Sequence, residues 1–213
     1  MSSIPSLVPY FSILGAVAVG AASPGPSFVL VARTAIAGSR VHGIAAALGM
    51  GLGGMVFASL ALGGLIALLA QVEWLYLGLK AAGGLYLLYL AVRIWRGAAQ
   101  PLSLGLPQAG ERSPLRSFAV GLATQLSNPK AAVVYASIFA ALLPAHPPFW
   151  LVLLLPPSVF LIEFGWYVIV AVTFSADRPR KVYLQAKTWI DRLAGGVMAL
   201  LGLRLIMEGV RRA

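Results

Sequence analysis

The chain has 213 residues, a formal net charge of +10, 60% hydrophobic and 10% charged side chains, and a mean hydropathy of +0.88. A water-soluble domain of this length needs far more charged surface, so most of this surface must meet lipid. The lack of cysteine excludes disulfides, thiol catalysis and thiolate metal sites, and basic residues scattered among apolar runs form no stripe for nucleic acid.

Apolar stretches bounded by charge or proline predict about six spans, near 7–32, 43–70, 74–95, 116–143, 148–174 and 189–208. None alternates with period two, which argues against a barrel. The first stretch could pass for a signal peptide, but no Lys or Arg precedes Arg33. Without a cationic start it reads as a retained span.

Within that stretch lies Ser23-Pro24-Gly25-Pro26-Ser27. Proline has no amide hydrogen and clashes with the preceding turn, so two prolines around a glycine break the helix. The second half should start near Pro26, with Ser27 and the positive dipole end at its beginning. Irregular backbone at membrane depth survives only inside protein or beside a watery cavity. The bland alternative is a structural kink, or a loop nearer the interface.

In the second span, Gly49 and Gly53 form a small-xxx-small pair, suited to close packing within the chain or to a homodimer contact. Pro101, Pro107, Gly110 and Pro114 mark residues 98–114 as an exposed connecting loop. Beyond it, Ser127-Asn128-Pro129-Lys130 predicts a second broken helix, with Asn128 capping the restart and Lys130 in its first turn. A cation is disfavoured there unless something negative compensates, and a bound carboxylate would do so; snorkelling to an interface is the alternative. Glu163 is a costly carboxylate in the fifth span, and Lys130 is its natural partner candidate. A purely structural ion pair, or a protonated acid making one hydrogen bond, would also account for it.

Leu79-Lys80-Ala81-Ala82-Gly83-Gly84-Leu85 in the third span resembles Asp191-Arg192-Leu193-Ala194-Gly195-Gly196-Val197 in the sixth. Small residues recur at helix-packing faces in any case. A true repeat of three spans has a consequence, because three is odd and the second copy must cross the membrane the other way up. The expectation is therefore an all-α membrane protein of about six transmembrane helices as two inverted three-helix repeats, with helices one and four broken. Residues 1–97 form the first repeat, 98–114 the loop and 115–213 the second.

Orientation follows from the excess of cations in cytoplasmic loops. Of the 16 lysines and arginines, Arg33, Arg40, Arg93, Arg96, Arg112, Arg116, Arg178, Arg180, Lys181, Lys187 and Arg192 fall after spans one, three and five. Lys80, Arg204, Arg211 and Arg212 fall on the other side, so both termini should face away from the cytoplasm. His42 and His146 are read as loop residues without neighbouring acids, so no metal site is expected. No Ser-His-Asp set appears, and no enzyme or cofactor is expected.

Taken together, Pro24-Gly25-Pro26, Phe28-Val29-Leu30-Val31, Arg33, Gly38, Arg40, Gly43 and Ala47-Leu48-Gly49 resemble the LysE/RhtB family of amino-acid exporters. The similarity continues through Lys80-Ala81-Ala82-Gly83-Gly84-Leu85-Tyr86-Leu87-Leu88-Tyr89-Leu90, then Phe118, Gly121 and Asn128-Pro129-Lys130, and covers nearly the whole chain. The resemblance implies export of amino acids or related small metabolites across a bacterial inner membrane, driven by the proton gradient. The family typically has an Asp after the glycines of the second span, where this chain has Gly54; Glu163 stands where the fifth span often carries an acid.

These readings give one expected site. The half-helix starts, with Ser23, Pro24, Gly25, Pro26 and Ser27 in one and Asn128, Pro129 and Lys130 in the other, would receive a substrate carboxylate. Glu163 would bind the amino group or exchange a proton. The expected partners are an amino-acid-like solute, the proton and the lipid bilayer, with a homodimer as one further option. A non-transporting membrane scaffold or lipid-handling protein is the alternative.

Overall fold

A computed structural model describes residues 7–37, 39–71, 73–100, 113–144 and 146–210, leaving out the side chains of 68–77, 79, 80 and 208–210. Among the described residues there are eight α-helices and no strand: α1 (Val8–Ala22), α2 (Pro26–Ala37), α3 (Arg40–Gln71), α4 (Glu73–Gly97), α5 (Pro114–Leu126), α6 (Pro129–Leu142), α7 (Phe149–Phe174) and α8 (Asp177–Val210). Most of the loop expected at 98–114, the side chain of Lys80, and Arg211 and Arg212 lie outside the described residues.

Both predicted breaks are present. Helices α1 and α2 meet at a 58° bend and together have the length and apolarity of one span. The 28 residues Arg40–Ala67 of α3 and the 26 of α7 are each long and apolar enough to cross a bilayer alone. The break between α5 and α6 falls at Ser127–Asn128, and α6 is a shorter apolar helix.

Two expectations need correction. Helix α8 begins at Asp177, well before the predicted 189, so Arg178–Lys187 form its first turns rather than a loop. Asp177 places a carboxylate at the positive end of the helix and bonds Arg180 at 2.6 Å, and Pro179 sits in the turn that needs no amide donor. These turns are polar, which is why a search for apolar runs misses them. His42, similarly, lies in the first turn of α3, with Nδ1 2.8 Å from the Ser39 hydroxyl.

Helix α3 packs between α5 and α7, and α4 packs along α8. Small residues set these approaches. A Cβ at Gly49 would strike the Phe118 carbonyl oxygen, and one at Gly121 would strike that of Ala46, so α3 and α5 touch backbone to backbone. The Gly49–Gly53 face is thus filled within the chain. Gly84 and Gly202 likewise bring α4 and α8 together, each with a carbonyl oxygen where the other's Cβ would be.

The apolar interior divides into two clusters. One gathers Ile13, Ala58, Ile138, Phe139, Leu155 and Met198 from α1, α3, α6, α7 and α8. The other gathers Phe28, Val31, Met50, Tyr167 and Phe174 from α2, α3 and α7. Along α7, Val159 belongs to the first and Tyr167 to the second, and Glu163 sits between them.

Candidate functional site

The site is built where the two broken helices face one another. Helix α1 stops at Ala22, and Ser23 turns to extended backbone (φ −70°, ψ 118°) while its amide still bonds the Val19 carbonyl at 3.3 Å. The chain restarts at Pro26, whose missing N–H costs nothing at a helix start. On the other side α5 stops at Leu126, and Asn128 caps α6 by accepting from the Lys130 amide at 3.0 Å. Helix α1 packs on α6 and α2 on α5, so the breaks lie side by side.

A chain of buried hydrogen bonds joins both breaks to Glu163. The Asn128 amide nitrogen donates to Ser27 Oγ at 3.1 Å. Ser27 Oγ donates to Gln125 Oε1 at 2.7 Å, and Gln125 Nε2 donates to Glu163 Oε2 at 2.7 Å. All four residues are buried, and in a low-dielectric interior such a chain is strong only while every member is satisfied. The Glu163 carboxylate lies over Gly54, where a Cβ would come within 2.7 Å of Oε2 and 2.9 Å of the Tyr135 hydroxyl. That hydroxyl is buried beside the carboxylate. Around it Ser27, Gln125, Tyr135, Glu163 and Tyr167 line a narrow cavity of about 40 Å³. In this arrangement the volume suits a few water molecules rather than an amino acid.

Lys130 does not pair with Glu163. Its ammonium donates to the Ser23 carbonyl at 3.3 Å and to Ser23 Oγ at 3.4 Å. The side chain lies across Gly25, whose Cβ would come within 3.3 Å of Nζ. The expectation of a Lys130–Glu163 pair rested on charge alone. The structure instead gives the carboxylate a glutamine, and gives the cation the free carbonyl end of α1, where a helix dipole favours positive charge.

Lys130 also borders a second, larger cavity of about 460 Å³. Ser23, Pro24, Gly25, Pro26, Asn128 and Pro129 form one wall; Tyr86, Leu90, Arg93, Ile94, Gly97, Gln100, Lys187 and Asp191 form the rest. Lys187 and Asp191 are a buried ion pair at 2.7 Å, one turn apart on α8. Lys187 also donates to the carbonyls of Gly97 and Ala98 at 3.4 and 3.2 Å, tying α8 to the end of α4.

The residues expected from the sequence to form the site, Ser23, Pro24, Gly25, Pro26, Ser27, Asn128, Pro129, Lys130 and Glu163, therefore line these two cavities. Gln125, Tyr135, Tyr167, Arg93, Lys187 and Asp191 were not among them. A signal existed for the last two, since Lys187 and Asp191 stand four apart, as helical ion pairs do. Gln125 and the tyrosines carry no charge and give no comparable signal. Among the described residues no group of three metal-ligating side chains occurs.

Comparison with known proteins covers almost the whole chain. The family profile described as LysE type translocator matches residues 18–209. The threonine efflux protein of Escherichia coli (strain K12) is 33% identical over 191 residues, covering 87% of this chain and 91% of that protein. The threonine efflux protein of Salmonella typhi is 32% identical over 207 residues, covering 95% and 99%. An uncharacterized membrane protein of Escherichia coli (strain K12), YahN, is 32% identical over 188 residues, covering 88% and 84%. No solved structure matches the chain.

Proposed function

The chain belongs to the LysE type translocator family and is a multi-pass membrane protein, and from that membership we propose that it exports amino acids or related small metabolites by proton antiport. Relatives named threonine efflux protein support the substrate class. The observation that carries the reading is the chain of bonds Asn128–Ser27–Gln125–Glu163, which links both broken helices to one buried carboxylate. Broken helices with ionisable residues beside them are how secondary transporters hold a small charged solute near mid-membrane.

In this mechanism the six spans are two inverted repeats, α1–α4 and α5–α8, that rock against one another. Part of the packing supports that pairing, although α2·α3 and α4·α6 have no counterpart of similar extent in α6·α7 and α2·α8. Exchanging the halves carries α1·α6 onto α2·α5, α2·α7 onto α3·α6 and α1·α7 onto α3·α5, and each of these pairs is in contact. The same exchange carries the Gly84–Gly202 contact to within a residue of the place where Gly195 meets Ala91. The substrate carboxylate docks at Pro26–Ser27 and Asn128–Lys130, and as the halves rock the narrow space beside Glu163 widens so that the amino group exchanges a proton there. The protein lies in a bacterial inner membrane with both termini outside the cytoplasm, so the larger cavity, at the Arg93 and Lys187 ends of α4 and α8, faces the cytoplasm.

Proteoliposomes carrying labelled threonine test the reading. An imposed pH gradient should drive transport, and Glu163→Gln should abolish the response to the gradient. Unchanged gradient-driven transport in Glu163→Gln would remove the residue from the mechanism. A scaffold would move no amino acid under any gradient.

A further inference from the structure

Three features of the larger cavity bear on what it holds. First, it is the one of the two cavities with room for an amino acid in this arrangement, since about 40 Å³ beside Glu163 suits a few water molecules. Second, its wall carries three cations, Arg93, Lys130 and Lys187, against the one carboxylate of Asp191. Arg93 and Lys130 have no acid partner among the described residues: Arg93 stacks on the Tyr89 ring at 5.8 Å and Lys130 bonds Ser23. Third, Asp191 is only partly satisfied. Oδ2 accepts from Lys187, but Oδ1 is buried and has no hydrogen-bond partner, although the residue is 4% exposed. A buried carboxylate oxygen left bare is costly, so a donor belongs there.

We propose that this cavity is an entry subsite for a zwitterionic α-amino acid, with its ammonium on Asp191 Oδ1 and its carboxylate between Arg93 and Lys130. The inference rests on the transport reading above and adds a separate place where the solute is first held. Lys187 acts by position. It holds one oxygen of Asp191 and the end of α4, which leaves the other oxygen as the unpartnered acceptor of a residue that lines the cavity. The excess positive charge draws in the carboxylate, and the single acid then selects solutes that also carry an α-ammonium. Lys130 borders both cavities, so a carboxylate bound to it stands at the threshold of the space that leads to Glu163.

The test uses the full chain in proteoliposomes. Inhibition of labelled threonine transport is to be measured with threonine, with threonine amide, which lacks the carboxylate, and with N-acetylthreonine, which lacks the ammonium, each added on the cavity side. Arg93→Gln, at an exposed position, should weaken threonine and N-acetylthreonine roughly tenfold and leave threonine amide unchanged. Asp191→Asn should do the reverse. Because that change leaves Lys187 buried and alone, the double substitution Lys187→Met with Asp191→Leu repeats the test with the charge pair removed as a unit. It should weaken threonine and its amide and spare N-acetylthreonine. Equal effects on all three inhibitors, or no effect on any, would overturn the subsite while leaving export intact. Absence of saturable threonine transport in the unaltered protein would instead overturn the export reading, and the subsite with it.

Discussion

The helices before and after the central connection are broken in the same way but equip the site differently. Both broken pairs stop for two or three residues and restart at a proline. Yet the two charged groups nearest the breaks, Lys130 and Glu163, come from α6 and α7, and each lands on a glycine of the earlier helices: Lys130 on Gly25, Glu163 on Gly54. Helices α1–α3 contribute the gaps and the serine acceptors, and α5–α7 contribute the charge and the amides. A repeated backbone thus makes a one-sided site, and a substitution should act according to which role its position fills.

The largest effect should follow from removing a charge. Lys130→Met keeps the bulk over Gly25 but deletes the donor to Ser23 and a cation that lines both cavities. Threonine transport should fall at least about a hundredfold, in line with the loss of a part-buried charge contact at the site. Lys130→Arg should restore part of it. Near-normal transport by Lys130→Met would mean that the cation is structural and would erase the division of roles. The next largest should follow from filling a gap. Gly54→Ala puts a methyl within 2.7 Å of Glu163 Oε2 and 2.9 Å of Cδ, with Tyr135 closing the third side. The carboxylate must leave its bond to Gln125, at a packing cost of about 1–3 kcal/mol. The melting temperature should drop and the response to a pH gradient should weaken more than transport down a solute gradient. A variant that matches the parent in both would show that the contact over Gly54 is looser than the structure has it.

Much of this was legible in the sequence for one reason. A proline's missing amide and a charge in an apolar run leave marks that need no partner to be read. Pro26, Pro129, Lys130 and Glu163 are of this kind, Asn128 is marked as a cap by the proline after it, and all five line one or other of the two cavities. The pairings were not legible, because they depend on which way each helix faces. Lys130 and Glu163 looked like partners as the two charges inside spans, but α6 turns the lysine toward Ser23 while α7 turns the glutamate toward Gln125. Gln125 and Tyr135 are neutral, and nothing in the sequence separates them from the polar residues that helices carry anywhere. Asp191 was read only as a marker of the repeat. Its burial depends on α8 starting as early as Asp177 and on Lys187 reaching the carbonyls at the end of α4.

The smallest effect should come from the other glycine, and it sharpens the comparison because the geometry looks alike. At Gly25 a methyl would come within 3.3 Å of Lys130 Nζ and 3.5 Å of Cδ, and the next nearest atom is the Ser23 carbonyl oxygen at 3.9 Å. These atoms belong to the free end of a long, flexible chain, which can shift by a few tenths of an ångström without leaving Ser23. No glycine among the described residues has a positive φ, so alanine is not strained at this position. The following proline already holds residue 25 to extended backbone, which alanine adopts readily. Removing a glycine between two prolines also narrows the unfolded ensemble, a gain of about 0.4–1 kcal/mol where the native conformation fits. Gly25→Ala should therefore melt at or slightly above the parent temperature and keep threonine transport within roughly threefold, the reverse of Gly54→Ala in stability. If instead Gly25→Ala loses transport while it melts normally, the lysine is held more tightly than its two long bonds to Ser23 indicate. The gap over Gly25 would then rank with the one over Gly54.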